Sequence, residues 1–303
     1  MDGTPAPSRR EILTPRREVP LKIAIPATLT SDVPHLREKT TKIGLIGRAA
    51  AIFRVDEVLI YEDRPGEGEA ELIEAVLAYM ETPQYLRKHL FGLRPELRYA
   101  GVLPPLRTPH HPLRARAAEL RPGEFRDGVV VKAVRKGCLV DVGVERPLLA
   151  PGLKAKPGTR MTFTIKRRGG RLLLERVERE DVPYYWGYRV EVVRNGLREL
   201  LLRGRREGAL ILCTSRLGRS IQEASSELEG ALKLASEVLV VFGSPSEGLY
   251  DMARREGFEL EGLCDFVLNT IPEQGVATVR TEEAVLATLA LLNVSLLSVE
   301  HRG

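Results

Sequence analysis

NTIPEQGVATVRTEEAV, running from Asn269 to Val285, carries more backbone punctuation than a core strand tolerates and fewer polar side chains than a disordered loop displays. Pro272 and Gly275 shape a turn there, and main-chain groups at such a turn approach a ligand without interference from Cβ atoms. The apolar run CDFVL, from Cys264, stands just before it, and apolar residues recur at helical spacing from Glu282 to Leu292 just after it. The unit reads as strand, loop, helix.

Upstream, GALILCTSRLG (Gly208 to Gly218) and VLVVFGSPSEGL (Val238 to Leu249) repeat the design: an apolar run, then a polar loop bearing Gly or Pro. Loops that leave the carboxyl ends of parallel strands converge, and ligands bind in the crevice they form. Ordinary connecting turns have the same composition, so the loops by themselves leave both readings open. No GxGxxG follows the first strand and no GxxxxGK[ST] occurs, which disfavours a dinucleotide enzyme or a nucleoside triphosphatase.

Toward the amino terminus, LKIAIPATL (Leu21 to Leu29), the helical periodicity through Ile43, Ile46, Ala50 and Phe53, and VDEVLIYED form a βαβ pattern of a covered parallel sheet. EGEAELIEAVLAYMETPQYLRKHLF is helical again, with Pro83 forcing a break near Thr82. From Leu113 the texture becomes short β-rich runs (Val129 to Val134, Cys138 to Val142, Met161 to Lys166, Arg171 to Glu175) between Gly and Pro turns. Such spacing predicts a small closed barrel of the OB or S1-like type, inserted into the α/β unit. The expected division is a flexible tail over 1–20, an α/β domain formed by 21–112 and 181–303, and the inserted barrel over 113–180. RRGGR (Arg167 to Arg171) reads as a hairpin tip that presents Arg167, Arg168 and Arg171.

The chain has 303 residues, 43% hydrophobic and 29% charged, with a formal charge of +5 supplied mostly by Arg. That composition is globular, and Arg suits planar contact with phosphate. The modest excess over 41 acidic residues also fits a basic enzyme with no nucleic acid. Cys138, Cys213 and Cys264 form no CxxC pair, so neither a disulfide framework nor a zinc cluster is expected, and a cytoplasmic setting fits. No apolar run is read as reaching the roughly 20 residues of a membrane span. In PHHP (Pro109 to Pro112) adjacent histidines of an extended linker are expected to point to opposite sides, which favours a hinge over a metal site. The aromatic cluster of Tyr184, Tyr185, Trp186 and Tyr188 is expected to serve packing ahead of base stacking.

GLIGRAAAIFRVDEVLIYED, ETPQYLRKHLF with LRYAGVLPPLRTPHHPLR, VVFGSPSEGL and DFVLNTIPEQGVATVRTEEAVLATLALLN resemble the SPOUT class of RNA methyltransferases. More narrowly they resemble its archaeal and eukaryotic family with an OB-like insert, whose better-known members are assigned to uridine N3 methylation of ribosomal RNA. The similarity covers most of residues 21–300. It implies an α/β parallel sheet with a C-terminal trefoil knot, a homodimer, S-adenosylmethionine as cofactor and RNA as partner, with no membrane. Carried over, it implies cofactor contacts at Thr214 and Ser215, at Gly243, Ser244 and Gly248, and at Leu268, Asn269, Ile271, Gly275 and Thr278, with Thr281 capping a helix that bears Glu282 and Glu283.

Arg48 matches the arginine of an NIGxxxR helix in the related 2′-O-methylating branch, but Lys42 stands where that branch has Asn. Departure of a uridine N3 proton calls for a base, or for a cation that stabilises the enolate. Arg48, Arg280 and Glu282 are the candidates for these roles, and Arg37 is a further RNA contact beside Arg167, Arg168 and Arg171. An RNA-binding or assembly factor that keeps the fold without turnover is the rival reading. A small-molecule enzyme with a regulatory barrel is the weaker third, because no nucleophile motif or acid/base pair appears.

Overall fold

The computed structural model describes residues 13–300. The described residues divide into two units, one of 13–16, Pro83–Leu90 and Arg107–Trp186, the other of Arg17–Thr82, Phe91–Leu106 and 187–300.

The second unit is a six-stranded sheet. Its strands are β1 (Leu21–Pro26), β2 (Glu57–Tyr61), β8 (Arg189–Val193), β9 (Leu210–Ser220), β10 (Val238–Val241) and β11 (Phe266–Asn269), in the order β11-β9-β10-β1-β2-β8. Every pairing is parallel. A parallel sheet needs both faces covered, and alternate residues of the central strands go to two separate cores. Ile23, Ile25, Val238 and Val240 meet α1 (Leu36–Ile52), α2 (Ala70–Glu81), α5 (Ile221–Leu234) and α7 (Thr281–Glu300), while Ala24, Leu239 and Val241 meet α4 (Gly196–Glu207) and α6 (Leu249–Arg255). Each such fully buried Ile or Leu contributes roughly 1.5–3 kcal/mol. Thr82 ends α2 and Pro83 precedes α3 (Gln84–Leu90), as the proline requires.

Two expectations change here. The window Thr281–Val299 of α7 has a mean hydropathy of 1.6, long and apolar enough by composition to cross a membrane. Leu289, Leu292 and Leu296 lie in the core of the sheet, while Leu286, Leu291 and Val294 of the same helix are exposed. Secondly, Cys213 and Cys264 form a disulfide with Cα atoms 6.2 Å apart, although separated by 51 residues. Sheet pairing brings the two segments together, which spacing along the chain does not reveal. Cys138 is the free, buried cysteine.

The first unit holds a closed barrel of β3 (Phe125–Val134), β4 (Gly137–Asp141), β5 (Leu148–Pro151), β6 (Arg160–Arg168) and β7 (Arg171–Val177), in the order β3-β4-β5-β7-β6. Val130, Val140, Phe163, Ile165 and Leu174 fill it. Gly169 and Gly170, at φ 54° and 75°, make the tight turn between β6 and β7. Strand β5 is short and flanked by proline, which hid it in the sequence.

Of the expected tail, residues 1–12 lie outside the described residues. Beyond them the chain is fastened. Pro15 bridges to Tyr184, the Tyr185 N–H donates to Thr14 O at 2.8 Å, and Arg17 donates to Asn293 Oδ1 at 2.6 Å. The histidines of PHHP do not splay apart. The His111 N–H donates to Thr108 O at 2.8 Å, closing a turn, and the two rings meet edge to face at 4.3 Å. Tyr185, Trp186 and Tyr188 are buried packing residues, while Tyr184 is half-buried.

Candidate active site

The first loop of the site arises from a break in sheet register. Val267 of β11 pairs with Cys213 of β9, but the next residue, Leu268, pairs with Arg219. Thr214 through Gly218 therefore have no counterpart on β11 and form a wide bulge within β9. Gly218 permits the return: a Cβ there would stand 2.6 Å from Val267 O and 2.8 Å from its carbonyl carbon, closer than any side chain allows. Thr214 Oγ1 donates to Val241 O at 3.0 Å, tying the bulge to the end of β10.

The second loop follows β10. Glu247 N donates to Ser244 Oγ at 2.9 Å, and Ser244 N donates back to Glu247 O at 3.0 Å, which closes Gly243 to Gly248 into a tight turn. The third loop follows β11 and is locked to the other two. Asn269 accepts the Ile271 N–H on Oδ1 at 3.1 Å and donates from Nδ2 to Arg216 O, also at 3.1 Å. Arg216 Nη1 in turn donates to Ala277 O at 3.0 Å. Thr281 Oγ1 donates to Gly243 O at 3.1 Å, which fastens the start of α7 to the second loop.

That last bond corrects the expected cap. The amino end of α7 is closed instead by Glu283, whose carboxylate accepts the Arg280 N–H at 2.9 Å, the reciprocal half of a capping box.

The three loops enclose a cavity of about 350 Å³. Thr214, Ser215, Gly243, Ser244, Gly248, Leu268, Asn269, Ile271 and Thr278 all line it. Gly275 does not: it is exposed, and a Cβ there would meet no atom within 4 Å. Residues that the sequence did not single out also line the cavity, among them Phe242, Glu247, Tyr250 and Gln274. Glu247, between Ser246 and Gly248, was the legible one. Partial burial pushes its carboxyl up, but hydrogen bonds from Arg255 at 3.1 Å and Arg64 at 3.2 Å outweigh this and hold it below the usual carboxylate range. Leu268, Ile271 and Phe242 supply apolar wall, and the Gly243 turn brings main chain to the surface. A flat heterocycle with a polar, charged tail fits such a wall.

The candidate charged residues separate. Glu282 is buried beside Thr281, its Oε2 is 3.4 Å from Lys42 Nζ, and that oxygen makes no hydrogen bond among the described residues. The distance allows charge attraction without hydrogen-bond geometry. Lys42 is itself held by Asp32 Oδ1 at 2.6 Å. Arg280 is exposed, between the cavity-lining Val279 and Thr281. Arg48 is half-buried on α1 and donates to Pro105 O at 2.9 Å and Leu106 O at 3.0 Å, so it is neither a cavity residue nor partner to a carboxylate. Arg37 is exposed in the first turn of α1. Arg167, Arg168 and Arg171 are exposed at the β6–β7 hairpin of the barrel unit.

Residues 20–292 match the family model described as "Putative RNA methyltransferase". An uncharacterized protein of Halobacterium salinarum is 34% identical over 290 residues, which cover 90% of this chain and 98% of the relative. The 28S rRNA (uridine-N(3))-methyltransferase of Mus musculus is 30% identical over 315 residues, covering 94% of this chain and 79% of the mouse protein. Among solved structures, the SpoU methyltransferase AviRb from Streptomyces viridochromogenes, in complex with AdoMet, aligns over 97% of this chain and 63% of its own, with 10% identity and a TM-score of 0.36.

Proposed function

Because the chain belongs to this RNA methyltransferase family, we propose that it transfers a methyl group from S-adenosylmethionine to ribosomal RNA, with uridine N3 as the acceptor atom. One observation carries the reading. Three loops from neighbouring parallel strands, bonded to one another, line a single cavity with nine of the ten residues proposed to hold the cofactor. The cofactor supplies a methyl group on a sulfonium, and the transfer is an in-line displacement that needs orientation without metal or covalent enzyme intermediate.

The chain's own work is to hold the acceptor and remove a proton. Glu282, with an unbonded oxygen beside Lys42, is proposed to accept the imide proton from uridine N3. Arg280, exposed between the cavity-lining Val279 and Thr281, is proposed to face the enolate oxygen that forms. Arg48 lies between Leu45 and Ile52, which are each 51% exposed, at helical spacing on α1. A homodimer is proposed to cover this stripe and the exposed Leu286, Leu291 and Val294 of α7, with Arg48 presented to the second copy's site; the exposed apolar area supports it. Threading of the C-terminal segment as a trefoil knot is proposed with it, supported by β11 lying outside β9 while α7 returns to the core of β1 and β10.

The barrel is proposed to be an OB fold that grips RNA, with Arg167, Arg168 and Arg171 at its tip and Arg37 as a further contact. Its strand order and the parallel closure of β5 on β7 support the assignment.

The test is transfer of labelled methyl from S-adenosylmethionine to ribosomal RNA by the full chain and by Gly243→Leu. A Cβ at Gly243 already stands 3.1 Å from Glu247 O, so the variant should lose cofactor binding with its circular dichroism unchanged. Undiminished binding would overturn the cradle. Cofactor binding without transfer to any rRNA fragment would leave an RNA-binding factor in its place.

A further inference from the structure

A second cavity, of about 560 Å³, lies within the barrel-bearing unit and has no part in the cofactor site. Its size falls within the roughly 300–1,000 Å³ of small-ligand sites. Rings make its wall. Phe125, opening β3, has its ring centroid 6.5 Å from that of Tyr184 and 6.3 Å from that of Trp186, both edge-on. Trp186 donates Nε1–H to Asp127 Oδ1 at 2.7 Å, which fixes the indole as rigid wall. Tyr184 and Phe125 are half-buried, so they have ring surface left to present.

Guanidinium groups supply the charge. Arg107, Arg114 and Arg121 line the cavity with one carboxylate, Glu124. That carboxylate is already committed: it accepts Arg126 Nε–H at 2.7 Å and the Arg121 N–H at 3.2 Å, and it pairs with Arg114 at 3.4 Å. Arg107 and Arg121 are exposed and have no ion-pair partner among the described residues. Nη2 of the fully buried Arg126, whose Nε is bonded to Glu124, has no acceptor among the described residues. The backbone at the rim is held in the left-handed region at Arg107 (φ 55°) and Gly123 (φ 85°), and a Cβ at Gly123 would meet no atom within 4 Å. Non-glycine residues are kept in that region only where the surroundings impose it.

Flat aromatic faces next to uncommitted guanidinium groups match a planar, anionic ligand. We infer that this cavity binds one unpaired nucleotide of the RNA substrate, its base against Tyr184 and Phe125 and its phosphate at Arg107 and Arg121. The inference rests on the RNA methyltransferase reading for the source of the nucleotide. A base inside a duplex is stacked and cannot enter such a cavity, so the ligand is single-stranded. The barrel unit would thus select an unpaired segment by inserting one base, in addition to gripping backbone at the hairpin.

Trp186 is the chain's one tryptophan, so its emission reports on the cavity directly. The full chain is titrated with a short labelled single-stranded oligouridine and with an RNA duplex of matched length, reading polarisation and Trp186 fluorescence. Expected are preference for the single strand, a saturable change in Trp186 emission, and roughly tenfold weaker binding in Tyr184→Leu and in the Arg107→Ala, Arg121→Ala double variant. S-adenosylmethionine affinity stays unchanged in both. The arginine variant alters only exposed side chains, so it remains informative if Tyr184→Leu fails to fold.

Equal affinity of the variants, equal affinity for duplex, or a silent Trp186 overturns the inference, including in favour of an acidic peptide as occupant. The two readings fail separately. Methyl transfer with unaffected oligouridine binding in the variants sinks this site alone. Variant-sensitive oligouridine binding without transfer to any rRNA sinks the enzyme reading and keeps the site.

Discussion

Lys42 Nζ stands 3.4 Å from Glu282 Oε2, the two side chains only 4% and 8% exposed. Removing one member of a buried ion pair strands the other, at a cost of about 3–5 kcal/mol. The pair is not symmetric, because Lys42 also has Asp32 at 2.6 Å while the Glu282 oxygen has no hydrogen bond. Lys42→Met should therefore destabilise by about 3–5 kcal/mol, and Glu282→Gln by about 1 kcal/mol. The double variant should recover much of the larger loss. Urea unfolding of the three proteins checks the order, and the reverse order would mean that Asp32 does not compensate Lys42 once Glu282 is neutral. A loss of methyl transfer in Glu282→Gln beyond its small stability change is the expected sign of a base.

Gly218 is the hinge on which the first loop returns to the sheet. Gly218→Val must displace Val267 backbone, so cofactor affinity should fall at least roughly tenfold, as expected of a loss near 1.4 kcal/mol. Gly230, exposed in α5 with no atom within 4 Å of a prospective Cβ, is the control. Gly230→Ala should stabilise by about 0.5–1 kcal/mol and leave affinity alone. Calorimetric titration with S-adenosylmethionine separates the two.

The Cys213–Cys264 bond closes a loop of 51 residues that contains β10 and α6. Chain entropy puts such a closure at about 4 kcal/mol. Cys213→Ser should lower the thermal midpoint accordingly, as should reductant on the unmodified protein. Alkylation in denaturant without reductant should label Cys138 alone, and mass spectrometry reads this directly.

The Glu247 carboxyl is depressed by Arg255 and Arg64 against the opposing effect of burial. A depressed folded value means that its contribution is present above the unfolded carboxyl range, about 4.3, and disappears as pH falls through the lower folded value. Cofactor affinity should stay level from neutrality down to the ordinary carboxyl range, about 4.3, and fall only at more acid pH. Glu247→Gln should be weaker at neutrality and flatter in acid. Identical acid limbs in the two proteins would assign the dependence to another group.

The sheet was legible because fully buried parallel strands such as VLVV have no polar alternation to confuse with anything else, and the loops because Gly and Pro follow each run. The barrel was legible from RRGGR and its β-rich neighbours, apart from β5 between prolines. What stayed hidden depends on partners distant in sequence. Cys213 meets Cys264 through sheet pairing, Arg48 meets the carbonyls of Pro105 and Leu106, and Thr281 spends its hydroxyl on Gly243 O while Glu283 closes the helix. PHHP misled because two prolines suggest extension, whereas the bond from His111 N–H to Thr108 O folds the segment.

Since β9 resumes pairing at Arg219 after stopping at Cys213, the intervening residues form an appendix whose length the neighbouring strands do not dictate. Insertions or deletions between Ser215 and Leu217 can resize the pocket mouth while every strand keeps its place.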